Sequence, residues 1–266
     1  NNWLSKRTKK KEYKIKSICI GNIYLGGTGK TPLTIEIFEI LKALKLNPVM
    51  VKKYYKNQKD EQRILKKRGY LITKTSRSES LLLAQDKKHK VAIIDDGLQD
   101  RSIDYSLKIV CFDKQNFIGN GKIIPAGPLR ESLENISSYD LVFFNGIKKL
   151  DNKLKIQLKK INKNIKIFET FPKLINLKKI KKSKNYLVFS GIGNPSNFEN
   201  LLIKYKYKIS KVLKYPDHYN YSNLEISKIK DLAKKLNLNI LTTEKDYLRI
   251  DKKNRNGIEF AKIKFQ

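Results

Sequence analysis

A glycine-rich loop between a strand pattern and a helix pattern constrains this sequence more than any other feature. The loop is Gly26-Gly27-Thr28-Gly29-Lys30-Thr31, preceded by an apolar run at 15–20 and followed by a helix pattern at 31–44. Glycines let successive backbone N–H groups converge on one anion, and a helix N-terminus adds partial positive charge at the same point. The combination predicts a site for the phosphates of a nucleotide.

The side chains of the loop have separate expected tasks. In this pattern the Lys30 ammonium contacts the β- and γ-phosphates, and the Thr31 hydroxyl binds Mg²⁺. The standard spacing places a glycine where this chain has Tyr24, so Gly26 and Gly27 must supply the flexibility. A purely structural glycine turn is the alternative interpretation. The expected nucleotide-binding residues are Tyr24, Leu25, Gly26, Gly27, Thr28, Gly29, Lys30 and Thr31.

Two adjacent carboxylates follow another apolar strand pattern. The run at 90–94 ends in Asp95 and Asp96, and Gly97 comes next. Ligands collect at the carboxyl ends of parallel strands, and an acidic residue there holds Mg²⁺ in phosphate-loop enzymes. One aspartate at a strand end has an easy structural explanation. The pair therefore favours a metal-binding or catalytic use.

Short β-branched runs alternate with longer helical patterns along the chain, which is typical of a parallel sheet. We expect an α/β fold with a mainly parallel, P-loop NTPase-like sheet, flanking helices and a smaller C-terminal α/β domain. The expected divisions are a basic segment at 1–14, a phosphate-loop domain at 15–172, a connection at 173–184 and the smaller domain at 185–266. Strands are expected at 15–20, 48–51, 91–94, 107–112, 141–144, 186–189, 209–213 and 240–241, and helices at 31–44, 80–85, 198–205 and 224–236.

The chain is strongly basic, with 58 Lys and Arg against 25 Asp and Glu and a net charge of +33. Such a charge attracts nucleic acid, anionic lipid or nucleotide. The lysines are spread along the whole chain beside abundant Asn and Ile, so compositional bias is the favoured main cause. A benefit at a membrane surface is the secondary explanation.

The cysteines and the apolar segments bound the class of protein. Cys19 and Cys111 each lie in an apolar run, which predicts buried free thiols and excludes a disulfide framework. No apolar stretch approaches the ~20 residues that span a bilayer, and no signal peptide opens the sequence. The Trp3-Leu4 pair, followed by basic residues, is expected either to lie on an anionic membrane or to form a solvated tail.

Six blocks, in order, resemble those of the tetraacyldisaccharide 4′-kinases and together span most of the chain. They are Gly21 to Pro32, Asp95 to Gln99, Gly119 to Glu131, Gly191 to Pro195, Pro216 to His218 and Thr242 to Asp246. The resemblance implies an ATP- and Mg²⁺-dependent kinase that phosphorylates the 4′-hydroxyl of an acylated glucosamine disaccharide 1-phosphate in lipid A biosynthesis. It also implies two α/β domains that close over the nucleotide.

The same resemblance implies where such a protein works. The expected place is the cytoplasmic face of the bacterial inner membrane, with the protein held at the anionic surface peripherally or anchored by a segment before residue 1. We expect no nucleic-acid partner, and the sequence indicates no obligate protein partner.

The blocks extend the set of expected site residues. In the family, the histidine that matches His218 supports the carboxylate that accepts the hydroxyl proton. We assign catalysis to Lys30, Asp96, His218 and Glu79, the metal to Thr31, Asp95, Asp96 and Glu131, and the substrate to Arg130 and Asn120.

Three departures from the family pattern concern the mechanism. Ser78 stands where the family has the proposed base, and a serine hydroxyl is no comparable proton acceptor, so Glu79, Asp95 or Asp96 is expected to replace it. The family's Ser-Arg-Gly-Tyr-Gly segment is Lys-Lys-Tyr-Tyr-Lys at 52–56, and a usual histidine is Asp100. Because general-base help contributes ~10²–10⁴-fold, a family member with weakened catalysis is one alternative.

Two other functions compete with the kinase. A partition-type ATPase switch shares the Gly-Gly-x-Gly-Lys-Thr loop, but those proteins resemble one another in a lysine before it, where this chain has Leu25. A basic nucleic-acid-binding module would cluster aromatic and basic residues on one element. Only the pairs Tyr54-Tyr55 and Tyr219-Tyr221 suggest such a cluster.

Overall fold

A seven-stranded sheet forms the first part of the computed structural model, which describes residues 13–55 and 59–265. Its strands are β1 (Lys16–Gly21), β2 (Pro48–Lys53), β3 (Leu71–Lys74), β4 (Val91–Asp95), β5 (Leu107–Asp113), β6 (Leu141–Asn145) and β7 (Lys166–Thr170). The strand order is β3-β2-β4-β1-β5-β6-β7, and every pairing is parallel. The mainly parallel α/β architecture expected from the sequence is therefore confirmed.

Four α-helices accompany this sheet in the described residues: α1 (Lys30–Ala43), α2 (Lys59–Arg68), α3 (Arg77–Asp86) and α4 (Asn152–Ile161). The helix after the glycine-rich loop begins one residue before the expected bound. Helix α2 was missed because most of its residues are polar, although Ile64 and Leu65 are buried. Its packing against the rest of the molecule, rather than its own periodicity, explains its place in the fold.

The core lies on both faces of the sheet, so its central strands are apolar almost throughout. Cys19 of β1 belongs to the core on one face, and Cys111 of β5 belongs to the core on the other. Both thiols are free and buried, which confirms the expectation from the sequence. Burial raises the pKa of each thiol, so both remain protonated.

A smaller parallel sheet forms the second part of the fold. The remaining strands are β8 (Pro172–Leu174), β9 (Asn185–Ser190), β10 (Lys208–Lys214), β11 (Asn239–Thr243), β12 (Ile258–Ala261) and β13 (Ile263–Phe265). The remaining α-helices are α5 (Pro195–Lys204), α6 (Asn223–Lys235) and α7 (Glu244–Arg249). Four of these strands pair in the order β10-β9-β11-β12, all parallel.

The end of the chain returns to the first sheet. Strand β13 pairs antiparallel with β8, and Phe265 joins the core that lies beneath α1. The ring of Phe265 is 6.0 Å from that of Phe143 on β6. The chain therefore crosses between the two parts twice, once through 173–184 and once through β13.

None of the helices within 13–55 and 59–265 has the length and apolar character needed to cross a membrane. The Trp3-Leu4 pair and the basic residues after it lie outside the described residues, so the expected membrane contact of that segment stays a prediction.

Candidate functional site

The glycine-rich loop connects the end of β1 to the start of α1, as the sequence predicts. Gly26 and Gly29 adopt φ angles of 124° and 89°, a region that favours glycine. A Cβ atom at Gly29 would lie 2.8 Å from the ring of Phe265, so the close approach of β13 also requires glycine there. The loop presents its backbone at the N-terminus of a 14-residue helix, the arrangement that binds phosphate groups.

Polar atoms in this loop fit an anionic ligand. The first turn of α1 contains no acidic residue that would neutralise its partial positive charge. Thr28 is 1% exposed, and within the described part of the chain its hydroxyl has no hydrogen-bond partner. Buried polar groups are normally paired. The hydroxyl of Thr28 and the amides around it therefore suit a phosphate ligand.

Asp95, at the tip of β4, lies next to the loop. Its Oδ2 accepts a hydrogen bond from Thr31 Oγ1 at 3.4 Å, and its Oδ1 accepts one from Thr34 Oγ1 at 3.4 Å. Hydroxyl and carboxylate oxygens are the ligands that Mg²⁺ prefers, with substrate phosphates completing the shell. The Lys52 Nζ, 2.8 Å from Asp95 Oδ2, shares this carboxylate. The residues fit a magnesium ion that is bound together with a nucleotide.

Asp96 faces cations from two segments, Lys30 at the start of α1 and Arg130. Its carboxylate accepts hydrogen bonds from Arg130 Nη1 at 3.1 and 3.3 Å and lies 3.8 Å from Lys30 Nζ. Burial raises the pKa of Asp96, but Lys30 and Arg130 outweigh burial and lower it overall. The residue has a φ angle of 60°, in the left-handed region that aspartate tolerates better than most residues. Asp96 is therefore an ionised group that holds the two cations at the loop.

The segment that contains Arg130 is attached to the entrance of the loop. Arg130 N donates to Ile23 O at 2.7 Å, and Leu25 N donates to Pro128 O at 2.8 Å. Glu131 accepts hydrogen bonds from Asn135 Nδ2 at 2.7 Å, from Gln99 Nε2 at 3.0 Å and from the Tyr139 hydroxyl. These neutral donors orient the Glu131 carboxylate, whereas Arg130 extends to Asp96.

Two expected site residues lie outside the network of contacts around the phosphate loop. The Asn120 side chain bonds within its own loop, to Ala126 O at 3.0 Å and from Lys122 N at 3.1 Å. Glu79 is exposed in the first turn of α3. In the described residues, neither has a hydrogen bond or ion pair with the phosphate loop. Their expected roles stay predictions.

Helix α3 is tied to the paired aspartates through its first residue. Arg77 donates to the backbone oxygen of Asp96 and to Asp100 Oδ2, the latter at 3.2 Å. Arg77 is itself buried, so this pairing satisfies a charge that is costly to bury alone. The same contacts place the first turn of α3, which contains Ser78 and Glu79, beside Asp96.

His218 approaches from the second sheet. Its backbone N donates to Gly191 O at 3.2 Å, and its Nδ1 lies 3.3 Å from Arg249 Nη2. The guanidinium can only donate, so Nδ1 accepts and the ring proton is assigned to Nε2. Nε2 lies 4.0 Å from Glu61 Oε1 on α2. His218 therefore lies at the edge of the first sheet. Only the Glu61 side chain separates it from the Lys52–Asp95 pair.

A second contact between the two parts of the fold lies at the phosphate loop. Gly193, in the turn between β9 and α5, lies so close to Gly27 that an added Cβ atom would overlap the Gly27 backbone nitrogen. Asn194 and Asn197 at the start of α5 also donate to Asp113 at the tip of β5. The turn from the second sheet therefore packs directly on the phosphate loop.

Sequence analysis missed Lys52, Glu61 and Lys245 as members of this site. The side chain of Lys52 is 2% exposed and bridges Asp95 and Glu61, and Glu61 in turn contacts Lys245. A lysine at the carboxyl end of a strand beside β4 was a usable signal for Lys52. Glu61 lies on the helix that the sequence did not indicate, so no local signal pointed to it.

A phosphate loop at the start of a helix, with a carboxylate at the tip of the neighbouring strand, defines a P-loop NTPase-like phosphate-binding protein. A family model, described as tetraacyldisaccharide-1-P 4′-kinase, matches residues 2–266. The chain belongs to this family, which confirms the resemblance of the ordered blocks. It also decides against the partition-type switch and the nucleic-acid module.

Named relatives and a solved structure agree with this assignment. The tetraacyldisaccharide 4′-kinase of Pelagibacter ubique is 49% identical over 249 residues, 94% of this chain and 79% of the relative. That of Rickettsia canadensis is 37% identical over 259 residues, 91% of this chain and 78% of the relative. A crystal structure of LpxK from Aquifex aeolicus in complex with ATP has the same fold, with a TM-score of 0.71, 22% identity and coverage of 97% of this chain and 86% of that one.

Proposed function

We propose that this protein transfers the γ-phosphate of ATP to the 4′-hydroxyl of an acylated glucosamine disaccharide 1-phosphate, an ATP- and Mg²⁺-dependent step of lipid A biosynthesis. The observation that carries the proposal is the contact of Thr31 and Asp95, 3.4 Å apart, beneath a phosphate loop. It occurs in a chain that belongs to the kinase family over residues 2–266.

Phosphoryl transfer depends on positioning and charge neutralisation more than on covalent help from the protein. In this proposal Lys30 and the loop amides bind the phosphates, and Thr31 and Asp95 hold the magnesium ion. That ion, when bound, neutralises charge that develops on the phosphate oxygens. Asp96 keeps Lys30 at the phosphates and holds Arg130 beside them, where Arg130 is proposed to contact the substrate.

The acceptor hydroxyl must also lose a proton. Asp95 and Asp96 are each engaged in an ion pair with a cation, so neither is proposed to take this proton. Glu79 is the exposed carboxylate among the expected bases, on the helix that begins beside Asp96. We keep Glu79 as the candidate base and His218 as a group that approaches from the second sheet. The parts at 15–172 and 185–266 are proposed to act as two domains, joined by 173–184, that close over ATP.

A labelling experiment tests the proposed reaction. Purified protein, γ-labelled ATP, Mg²⁺ and the disaccharide 1-phosphate are expected to yield labelled lipid, and chelation of the metal is expected to abolish the label. An acceptor that already carries a 4′-phosphate is the matched control and should take up none. Folded protein that binds ATP yet labels no disaccharide would contradict the proposal.

A groove between α4 and β7 supports the proposed contact with a membrane. An acylated substrate resides in a lipid surface, so the enzyme must reach that surface, and we place it peripherally at the cytoplasmic face. Helix α4 and strand β7 line a shallow groove in which the exposed apolar side chains Ile156 and Phe168 are surrounded by lysines. Apolar contacts ringed by cations suit an anionic bilayer.

Vesicle binding measures that surface directly. Lys160→Gln with Lys166→Gln, both exposed beside the groove, is expected to weaken binding to anionic vesicles by about fivefold per lysine, since each contributes ~1 kcal/mol there. Lys228→Gln with Lys235→Gln on α6, with the same loss of charge, should have a smaller effect. Equal effects from both pairs would indicate attraction by overall charge rather than by this groove.

A further inference from the structure

Glu61 occupies an enclosed position between the two sheets. Its Oε2 accepts a hydrogen bond from Lys52 Nζ at 2.6 Å, and its Oε1 accepts one from Lys245 Nζ. The side chains of Lys52 and Glu61 are 2% and 12% exposed, respectively. Lys52 comes from the end of β2 and Lys245 from α7, so one carboxylate joins an element of each sheet.

The contacts continue on both sides of Glu61 as an alternating series of charges. Lys52 Nζ lies 2.8 Å from Asp95 Oδ2, and Asp95 Oδ2 contacts the Thr31 hydroxyl of the phosphate loop. On the other side, His218 Nε2 lies 4.0 Å from Glu61 Oε1. The series therefore runs from the proposed magnesium ligands to the histidine of the second sheet.

Burial alone would disfavour the charges in this series. It raises the pKa of Glu61, but Lys245 and Lys52 outweigh it and hold the pKa well below its ordinary value. It lowers the pKa of Lys52, but Asp95 and Glu61 outweigh it and raise the pKa overall. Lys52 and Glu61 therefore remain charged and mutually paired, which is the condition under which buried ions are tolerated.

We propose that Glu61 is a positioning residue for phosphoryl transfer, which fixes Lys245 of the second sheet relative to Asp95 and the phosphate loop, with His218 near the same carboxylate. The inference rests on the proposed kinase function and adds a residue to its site. Glu61 does not touch the phosphate loop itself, and it acts through Lys52 and Lys245. A role as general base is not favoured, because a carboxylate that binds two ammonium groups accepts a proton poorly.

Other contacts of α2 support the same conclusion. Arg68 Nη2 lies 3.4 Å from Glu244 Oε2, and Arg63 Nη1 donates to Leu248 O at 3.3 Å. Both partners are on α7. Helix α2, which flanks the first sheet, therefore holds α7 in place. Of these three residues of α2, Glu61 is connected to the phosphate loop through the side chains of Lys52 and Asp95. Arg63 and Arg68 make their contacts nearer the surface.

The isosteric variant Glu61→Gln tests the role because it removes the charge and keeps the shape. The expected result is a fall of about 100-fold in kcat, the scale of a small misplacement of reacting groups, with KM for ATP changed much less. Glu259→Gln is the matched control: Glu259 pairs with Lys184 at 2.8 Å within the second sheet region, so its loss should leave kcat near that of the wild type.

A double-mutant cycle distinguishes positioning from general stability. If Lys245 acts through Glu61, the variant Glu61→Gln with Lys245→Met should lose no more kcat than Glu61→Gln alone. Lys245→Arg, which keeps the charge, should retain most of the activity that Lys245→Met loses. A purely structural role would lower the thermal midpoint while kcat, measured well below that midpoint, stayed unchanged.

Each outcome decides the inference. Wild-type-like kcat in Glu61→Gln, or additive losses in the cycle, would overturn it. Should Glu61→Gln fail to fold, the comparison of Lys245→Arg with Lys245→Met decides, and equal activities in that pair would also overturn it. Failure of the proposed function is distinct, because the wild-type protein itself would then label no disaccharide.

Discussion

Replacement of Lys30 by methionine is expected to lower kcat for phosphoryl transfer by about 10²–10³-fold, the effect of removing one aligned charge donor from a site of developing charge. Lys30 is the first residue of α1, and its Nζ lies 3.8 Å from Asp96 Oδ1. Methionine has a similar length and a good helix propensity, so the helix should persist. The lost group is the ammonium that is proposed to face the phosphates.

The same substitution at Lys42 provides the control. Lys42 is exposed in the last turn of the same helix, about 18 Å from its start by the rise of an α-helix. Its loss removes a favourable interaction with the helix dipole of about 0.3–1 kcal/mol and should leave kcat unchanged. Steady-state kinetics together with direct nucleotide titration separate binding from turnover. Activity in Lys30→Met close to that of Lys42→Met would mean that the loop does not hold the transferred phosphate.

Five of the seven strands of the first sheet, together with the loop, were predictable because their signals are local, whereas the two edge strands β3 and β7 were not predicted. Runs such as Val91–Asp95 are buried on both faces of a parallel sheet and are therefore continuously apolar. The glycine-rich loop combines an expected strand, an expected helix and residues that permit close backbone approach. These features depend on neighbours within about ten residues, which a sequence displays directly.

Other parts of the site depend on contacts between distant residues. Glu61 meets Lys52 nine positions away and Lys245 184 positions away, and no periodicity records such pairs. Helix α2 itself is largely polar and packs by a narrow apolar edge. Strand β13 is three residues long, and its role depends on the contact of Phe265 with the loop. Only the folded chain identifies these contributions.

Ion pairs in the structure explain several of the departures from the family pattern. Arg77, next to the altered position Ser78, and Asp100, where the family usually has histidine, form one ion pair at 3.2 Å. Lys52, in a third altered segment, pairs with Asp95 and Glu61. A buried charge introduced alone would cost several kcal/mol. Each of these positions is unexplained when it is considered alone in the sequence, whereas in the structure their charges are matched.

A consequence for catalysis follows from this matching. Asp95 at the tip of β4 and Asp96 after it each hold a cation beside the proposed nucleotide site, and Glu61 links one of those cations to the second sheet. The arrangement of the site therefore depends on ion pairs between different helices and strands rather than on a single motif. Loss of a single charge is expected to displace its partner as well as to remove its own contact.

Asp246→Ala is expected to produce the largest loss of stability, about 3–5 kcal/mol, the cost of breaking a buried ion pair by removing one partner. Asp246 has no exposed surface and accepts hydrogen bonds from Arg249 Nη1 at 2.9 Å, Tyr221 OH at 3.0 Å and Gly191 N at 3.0 Å. Arg249 would then keep its charge in a buried position without this carboxylate. The thermal midpoint, followed by circular dichroism, should fall by about 10 °C.

The effect should extend from stability to the phosphate loop. Asp246 holds the backbone of Gly191, and two residues later Gly193 packs on Gly27. Kinase activity at a temperature where the variant is folded should therefore fall as well. Asp251→Ala, an exposed position close by in the chain, should change stability by no more than about 0.5 kcal/mol. The double variant Asp246→Leu with Arg249→Met should recover part of the lost stability, because it removes both buried charges. A double variant no more stable than Asp246→Ala would show that the hydrogen bonds to Gly191 and Tyr221, rather than the ion pair, dominate this site.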